Sequence, residues 1–259
     1  MDYVTSTDGT PIAVWRSGSG PPLLLVHGTG ADHNSWAQVL PGLEPHVTVY
    51  TLDRRGRGPS GDAEAYSLEQ EARDVAAAVA WIGAPVNLLG HSFGAACCLE
   101  AALLTPDISR LLIYEPPLPG MEAAYAQPLD QLEALIARDE REGAVVMFYR
   151  EVVGVPEDMI EQIRAHPGWP DRVAAAHTLA RETRVEMNWH PDFERFRAIQ
   201  TPTLLLTGTA SPAWAREITR LLAETLPNSR IHELPGQEHL AYRTDPDGFV
   251  AAVLAFIQG

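Results

Sequence analysis

One five-residue stretch, Gly90-His91-Ser92-Phe93-Gly94, constrains this chain more than anything else in its 259 residues. It follows a compact apolar run at 86–89 and precedes a helix-like stretch at 93–104. A serine between two glycines, in a strand–turn–helix setting, is a nucleophile carried on a sharp turn. The turn lifts the hydroxyl clear of a sheet, and the flanking glycines let backbone and helix approach closely. Strain of this kind persists where function requires it. A chance occurrence of the five residues in an ordinary turn would leave the strand before it and the helix after it unexplained.

The surrounding pattern agrees with that setting. Apolar runs at 23–26, 47–52, 111–114 and 203–207, each bounded by Gly, Pro or charge, read as buried strands of a parallel sheet. Residues 12–15 add an antiparallel edge strand, and 230–234 a last strand. A helix at 67–82 opens on a Ser67-x-x-Gln70 capping box, and Leu68, Ala72, Val75, Ala76, Val79 and Ile82 fall on one of its faces. Ser211-Pro212 and Asp245-Pro246 start two more, with Ser and Asp as N-caps and Pro at the first helical position. Alternating strands and helices predict an α/β sheet with helices on both faces. The alternation stops between Pro116 and Thr201, where helical spacing appears at 129–141, 144–153, 157–165 and 173–185. The expected organisation is a core of residues 1–116 and 201–259 carrying a helical insertion, 117–200, after the sixth strand. The insertion contains Met121, Tyr125, Met147, Phe148, Tyr149, Trp169 and Trp189. Most of these should pack between helices; some should face the cleft and favour an apolar acyl or aromatic substrate.

Composition removes several function classes. With 19 basic against 34 acidic residues the formal charge is −15, which repels nucleic acid and anionic membranes and leaves a small-molecule substrate as the expected partner. Every basic residue is Arg, so Schiff-base lysines, pyridoxal phosphate anchors and P-loop lysines are out of reach. The adjacent pair Cys97-Cys98 can form neither a disulfide framework nor a CxxC metal site, and reads as small buried residues in a reducing compartment. The first ten residues lack the charged-then-apolar pattern of a leader, so a cytoplasmic location is expected. No cofactor or metal is called for.

Two more loops complete a candidate site. His27-Gly28-Thr29-Gly30 directly follows the 23–26 run. A tetrahedral oxyanion needs preorganised N–H donors, and the N–H groups of Thr29 and of Phe93, after the nucleophile, are the expected pair. Gly236-Gln237-Glu238-His239 follows the last strand, and of nine histidines only His239 falls late, in a loop, after a strand. It is the expected base for Ser92. His91 should point away from the site, and the other histidines have no motif around them.

Asp53-x-Arg55-Gly56-x-Gly58-x-Ser60, the His-Gly-Thr-Gly turn, the Gly-x-Ser-x-Gly elbow and the late Gly-x-x-His together resemble the α/β-hydrolase superfamily, in an order that spans nearly the whole chain. The resemblance implies an α/β-hydrolase fold with a cap domain. It implies a serine hydrolase of small esters or lactones, with carbon–carbon hydrolysis or a non-catalytic binding role as alternatives. Ser92 argues against the dehalogenase and epoxide-hydrolase branches, which need Asp at the elbow. One departure matters: Ser211 stands where much of the family has its triad Asp, and its expected role is to cap the helix at Pro212. Glu217 lies inside that helix, Glu233 lies in a strand, and Glu238 adjoins His239 too closely. Glu115 ends the 111–114 strand, where ligand-site residues gather, and Pro116-Pro117 stiffen the chain behind it. Some α/β-hydrolases carry their acid after this strand, and Tyr-Glu-Pro-Pro resembles that arrangement, so Glu115 is the expected acid.

Overall fold

A computed structural model describes residues 1–120 and 122–259. Eight strands form one sheet: β1 (Asp2–Thr5), β2 (Pro11–Gly18), β3 (Pro22–Val26), β4 (Thr48–Leu52), β5 (Val86–His91), β6 (Ile108–Tyr114), β7 (Thr203–Gly208) and β8 (Ser229–Leu234). Their spatial order is β1-β2-β4-β3-β5-β6-β7-β8. From β4 to β8 every pairing is parallel, while β2 runs antiparallel to both β1 and β4.

Parallel strands buried on both faces are apolar at most positions, which is why these runs are legible. Leu24 and Val26 of β3, Leu111 and Ile113 of β6 and Leu205 of β7 join one core layer. Their alternates Leu23, Leu25, Leu112, Tyr114, Leu204 and Leu206 join the layer on the opposite face. The first layer is closed by α2 (Leu68–Ile82), α3 (Phe93–Ala102) and α10 (Ala213–Thr225), and the second by α1 (Leu40–Leu43), α11 (Ala241–Thr244) and α12 (Pro246–Gln258). Ser67 caps α2 by accepting from the Gln70 amide at 3.3 Å, and Asp245 caps α12 by accepting from Gly248 at 3.1 Å. Cys97 and Cys98 are free and buried in the first layer, where burial pushes both thiols up.

Between β6 and β7 lie α4 (Glu122–Ala137), α5 (Arg141–Met147), a π-helical segment (Phe148–Val153), α6 (Glu157–Arg164), α7 (Trp169–Ala174), α8 (His177–Met187) and α9 (Phe193–Phe196). These helices have a core of their own, built on Leu132, Val145, Phe148, Ile160, Ile163 and Leu179.

Several expectations need correcting. Residues 12–15 are not the sheet edge, because β1 pairs outside them with Val4 opposite Ile12. Only Val4 of β1 is buried, so that strand leaves no apolar signature. The helix expected at 173–185 is two helices. The chain breaks after Ala174, and Thr178 turns its hydroxyl back to the Ala175 carbonyl at 2.8 Å. The helix expected from 129 starts at Glu122 and ends at Ala137, followed by Asp139 in the left-handed region at φ 58°. Ser211 does not cap α10: that helix starts at Ala213, Pro212 occupies the cap position, and the Ser211 hydroxyl is engaged elsewhere. Of the apolar insertion residues, Tyr125, Phe148 and Tyr149 line the cavity above Ser92. Met147 and Trp169 pack within the helical layer, and Trp189 joins the core beneath it. Met121 lies outside the described residues. Among the described residues no helix is long and apolar enough to cross a membrane.

Candidate active site

Ser92 joins β5 to α3 with φ 54° and ψ −128°, a conformation costing a non-glycine residue about 1–3 kcal/mol. Its amide still donates to the Tyr114 carbonyl at 2.9 Å, continuing the β5–β6 ladder, and the chain then turns into α3. The turn is this tight only because of its glycines. A Cβ at Gly94 would stand 2.5 Å from the carbonyl oxygens of Val26 and His27, and one at Gly90 2.6 Å from the Ala95 Cα. Phe93 is the first residue of α3, so its N–H is among those the helix leaves without an intrahelical acceptor. Its ring is buried beneath the Arg54 guanidinium, 4.7 Å from the ring centroid.

The loop after β3 faces the same cavity with Gly28 and Thr29. The His27 imidazole holds this loop: Nδ1 donates to the Gly28 carbonyl at 2.8 Å, and Nε2 accepts from the Arg54 amide at 3.2 Å. Burial first, then the Arg57 and Arg54 charges, drive its pKa well below the usual range, so the ring is neutral and its tautomer fixed. From above, the Tyr149 hydroxyl donates to the Gly30 carbonyl at 2.5 Å, and the Thr29 hydroxyl donates to Glu186 at 2.5 Å.

His239 lies in the loop after β8 and lines the same cavity as Ser92. Its Nδ1 is 2.7 Å from Glu115 Oε2. Glu115 follows β6 directly, at φ 45°, and is fully buried. Its other oxygen, Oε1, accepts three donors: the Gly208 amide at 2.9 Å, the Thr207 hydroxyl at 3.0 Å and the Ser211 hydroxyl at 2.5 Å. Burial alone would raise this carboxyl's pKa. The bond from His239 and its charge, followed by those from Ser211 and Gly208, outweigh burial and hold it below the ordinary carboxylate range. The carboxylate thus reaches from β6 across to the end of β7, and the serine at position 211 serves it.

Three partners that the sequence reading missed hold the His239 loop. His91, the residue inside the elbow, does not point away from the site as expected but lines its cavity, with Nε2 aimed at the His239 carbonyl 2.8 Å away. A carbonyl only accepts, so Nε2 carries the proton; burial, then the charge of His239, keep this ring neutral. The Tyr114 hydroxyl donates to the Glu238 carbonyl and accepts from the Ala241 amide at 3.0 Å. Trp214 meets the His239 ring edge-on with centroids 5.4 Å apart. Nothing in the local sequence marks Tyr114 or Trp214; His91 could have been found from its place between the two expected loops.

The Asp53-x-Arg55-Gly56-x-Gly58-x-Ser60 segment supports the site without lining it alongside Ser92. Asp53 accepts from the His33 amide at 2.8 Å, and Arg55 grips Asp74 through two bonds of 2.7 and 2.8 Å. Arg54 and Arg57 both reach upward to Glu182 of α8, each at 2.6 Å, tying core to insertion.

The chain belongs to the alpha/beta hydrolase family, whose model matches residues 23–252. An alpha/beta hydrolase from Sphaerobacter thermophilus superposes with a TM-score of 0.83 at 39% identity, covering 99% of this chain and 100% of that one. An esterase from Rhodococcus sp. ECU1013 superposes with a TM-score of 0.79 at 25% identity over 100% and 98% of the two chains. Among relatives, the N-formylmaleamate deformylase of Pseudomonas putida is 26% identical over 93% of this chain and 90% of its own. The pimeloyl-[acyl-carrier protein] methyl ester esterase of Aeromonas hydrophila is 26% identical over 95% and 99%.

Proposed function

We propose that this protein is a serine hydrolase that cleaves an ester or lactone of a small, largely apolar substrate through an acyl-enzyme. Ser92 Oγ attacks the carbonyl carbon while His239 Nε2 takes the hydroxyl proton. The imidazolium keeps its Nδ1–H on Glu115 Oε2, whose charge it needs. The carbonyl oxygen becomes an oxyanion between the N–H groups of Thr29 and Phe93, and the N-terminal end of α3 favours that negative charge. Collapse expels the alkoxide, which takes the proton from Nε2. Water then attacks the acyl–Ser92 ester with Nε2 as base, and the acid leaves with Ser92 restored. Helices α4 to α9 act as the cap, with Tyr125, Phe148 and Tyr149 offering an apolar wall to the acyl group.

The observation that carries this reading is the 2.7 Å contact between Glu115 and the His239 ring, with the second carboxylate oxygen saturated by three donors. A binding protein that had lost its chemistry has no need of a buried, charged carboxylate aimed at one imidazole nitrogen. The names carried by similar proteins, esterases among them, agree with hydrolysis. The test is labelling with an alkyl fluorophosphonate, followed by turnover of chromogenic esters of graded chain length. Label should map to Ser92, vanish in Ser92→Ala, and track with ester turnover. Label on Ser60 or Ser211, or labelling that survives in Ser92→Ala, would refute the proposal.

A further inference from the structure

Glu186 is the only carboxyl among the described residues that line the cavity of Ser92 and His239. It comes from α8, and its Oε1 accepts the Thr29 hydroxyl at 2.5 Å, so it touches the loop that offers an N–H to the oxyanion. Beneath it lies a buried charge cluster. Glu71 on α2 and Glu182, one turn before Glu186 on α8, face Arg54 and Arg57 from the loop after β4. With Glu186 the cluster has three carboxyls for two guanidinium groups. Both guanidinium groups make their hydrogen bonds elsewhere than Glu186, and the Arg54 Nε–H has no acceptor among the described residues. Arg54 bonds Glu182 and the His27 carbonyl, and Arg57 bonds Glu182 and the carbonyls of Ala31 and Arg55. Glu186 receives a hydroxyl instead. The other titratable and charged groups of the cavity are His91, His239, Arg172, Arg243 and the phenols of Tyr125, Tyr149 and Tyr242, and the Tyr125 pKa is pushed up by burial and by Glu186.

We propose that Glu186 is a positioning residue of the oxyanion loop, and that its carboxyl must be protonated for Ser92 to form a tetrahedral intermediate. Ionisation of Glu186, not loss of Ser92 or His239, then closes activity on the alkaline side. This rests on the reading of Ser92, Thr29 and Phe93 given above. The physical cause is like-charge repulsion. An ionised carboxylate bonded to the Thr29 side chain stands close to where the oxyanion forms. At a separation of about 6 Å and an effective dielectric of about 20, that opposes the intermediate by roughly a hundredfold. The protonated carboxyl carries no such charge and still accepts the Thr29 hydroxyl. Burial first, then the Glu182 charge, raise the Glu186 pKa; the Thr29 bond and the two arginines oppose this, and the balance is about 7. The switch therefore falls near neutral pH.

The experiment is the second-order rate of Ser92 phosphonylation by an alkyl fluorophosphonate, from pH 5 to 9.5, for the wild-type chain, Glu186→Gln and Thr29→Val. This reaction also passes through an oxyanion at Ser92 and needs no knowledge of the substrate. The wild-type rate should fall at least tenfold as pH rises from 7 to 9.5. Glu186→Gln should lose that fall. Thr29→Val keeps its backbone N–H but withdraws a hydrogen bond that favours the ionised carboxyl, so its falling limb should move to higher pH. A wild-type rate level to pH 9.5, a falling limb retained in Glu186→Gln, or one unmoved in Thr29→Val overturns the proposal. Should Glu186→Gln fail to fold, the other two profiles still decide it. Absence of labelling at every pH would instead refute the Ser92 reading and this one with it, an outcome distinct from labelling with a level profile.

Discussion

Glu115→Gln separates charge from shape at the candidate site. The amide is isosteric, but it has one acceptor oxygen where the carboxylate has two. Three donors converge on Oε1, at 2.5 to 3.0 Å, and a single one on Oε2. The glutamine oxygen therefore turns to the Ser211, Thr207 and Gly208 side, because the reverse would set an NH2 against three donors. Its NH2 then faces His239 Nδ1, which must give up its proton and accept. The imidazole is driven into the tautomer with hydrogen on Nε2, where it cannot take the proton of Ser92. An acid-to-amide change of this kind in a serine triad costs about 10⁴ in turnover, or about 5 kcal/mol of transition-state stabilisation. The assay is ester turnover and Ser92 phosphonylation at pH 7, with circular dichroism to show an unchanged fold. The same variant should change acid stability. Because the folded-state pKa of Glu115 is depressed, its charge contributes stability that is present above the ordinary carboxylate pKa and lost as pH falls through the folded value. Glu115→Gln should therefore remove part of the wild-type loss of melting temperature on acidification. Turnover reduced by less than tenfold in a folded variant would refute the tautomer argument and the role of Glu115 with it.

Tyr114→Phe removes the hydroxyl that bridges the Glu238 carbonyl and the Ala241 amide. Leaving those backbone groups unsatisfied should cost about 1–3 kcal/mol in urea unfolding and lower turnover by loosening His239; unchanged values in both would remove Tyr114 as a brace. Gly94→Ala forces a Cβ to 2.5 Å from two backbone carbonyls, whereas a Cβ at Gly143, in α5, meets only the end of Leu135 at 3.6 Å. The first change should destabilise by about 1–3 kcal/mol or more, and the second should stabilise by about 0.5–1 kcal/mol through helix propensity. Equal effects on melting temperature would refute the close-approach account of the elbow.

What the sequence made legible follows from how far each interaction reaches along the chain. The inner parallel strands declare themselves because both faces are buried, as the alternation of Leu23 and Leu25 with Leu24 and Val26 shows. β1 does not, with one buried residue in four, and the break between α7 and α8 falls at Ala175-Ala176, where no glycine or proline marks it. In the site, Ser92 and His239 carry local motifs. The cradle of Glu115 is assembled from residues 92 to 96 positions away, and Glu186, one turn after Glu182, reads in the sequence as one more solvated charge.

Ser211 is the instructive case. Its local chemistry predicts a helix cap, yet a tertiary hydrogen bond to a buried carboxylate wins, because a charge-assisted bond in a dry site is worth more than a cap one residue out of place. That outcome also explains why this position holds no acid here. The slot between β6, β7 and the His239 ring takes one negative charge. A second carboxylate at position 211, within hydrogen-bond range of Glu115 Oε1, could not stay ionised beside it, since like charges this close force one of the pair to hold a proton. With a buried carboxylate supplied from the end of β6, a small donor at position 211 completes its cradle, and the choice of side chain at the two positions is a single one.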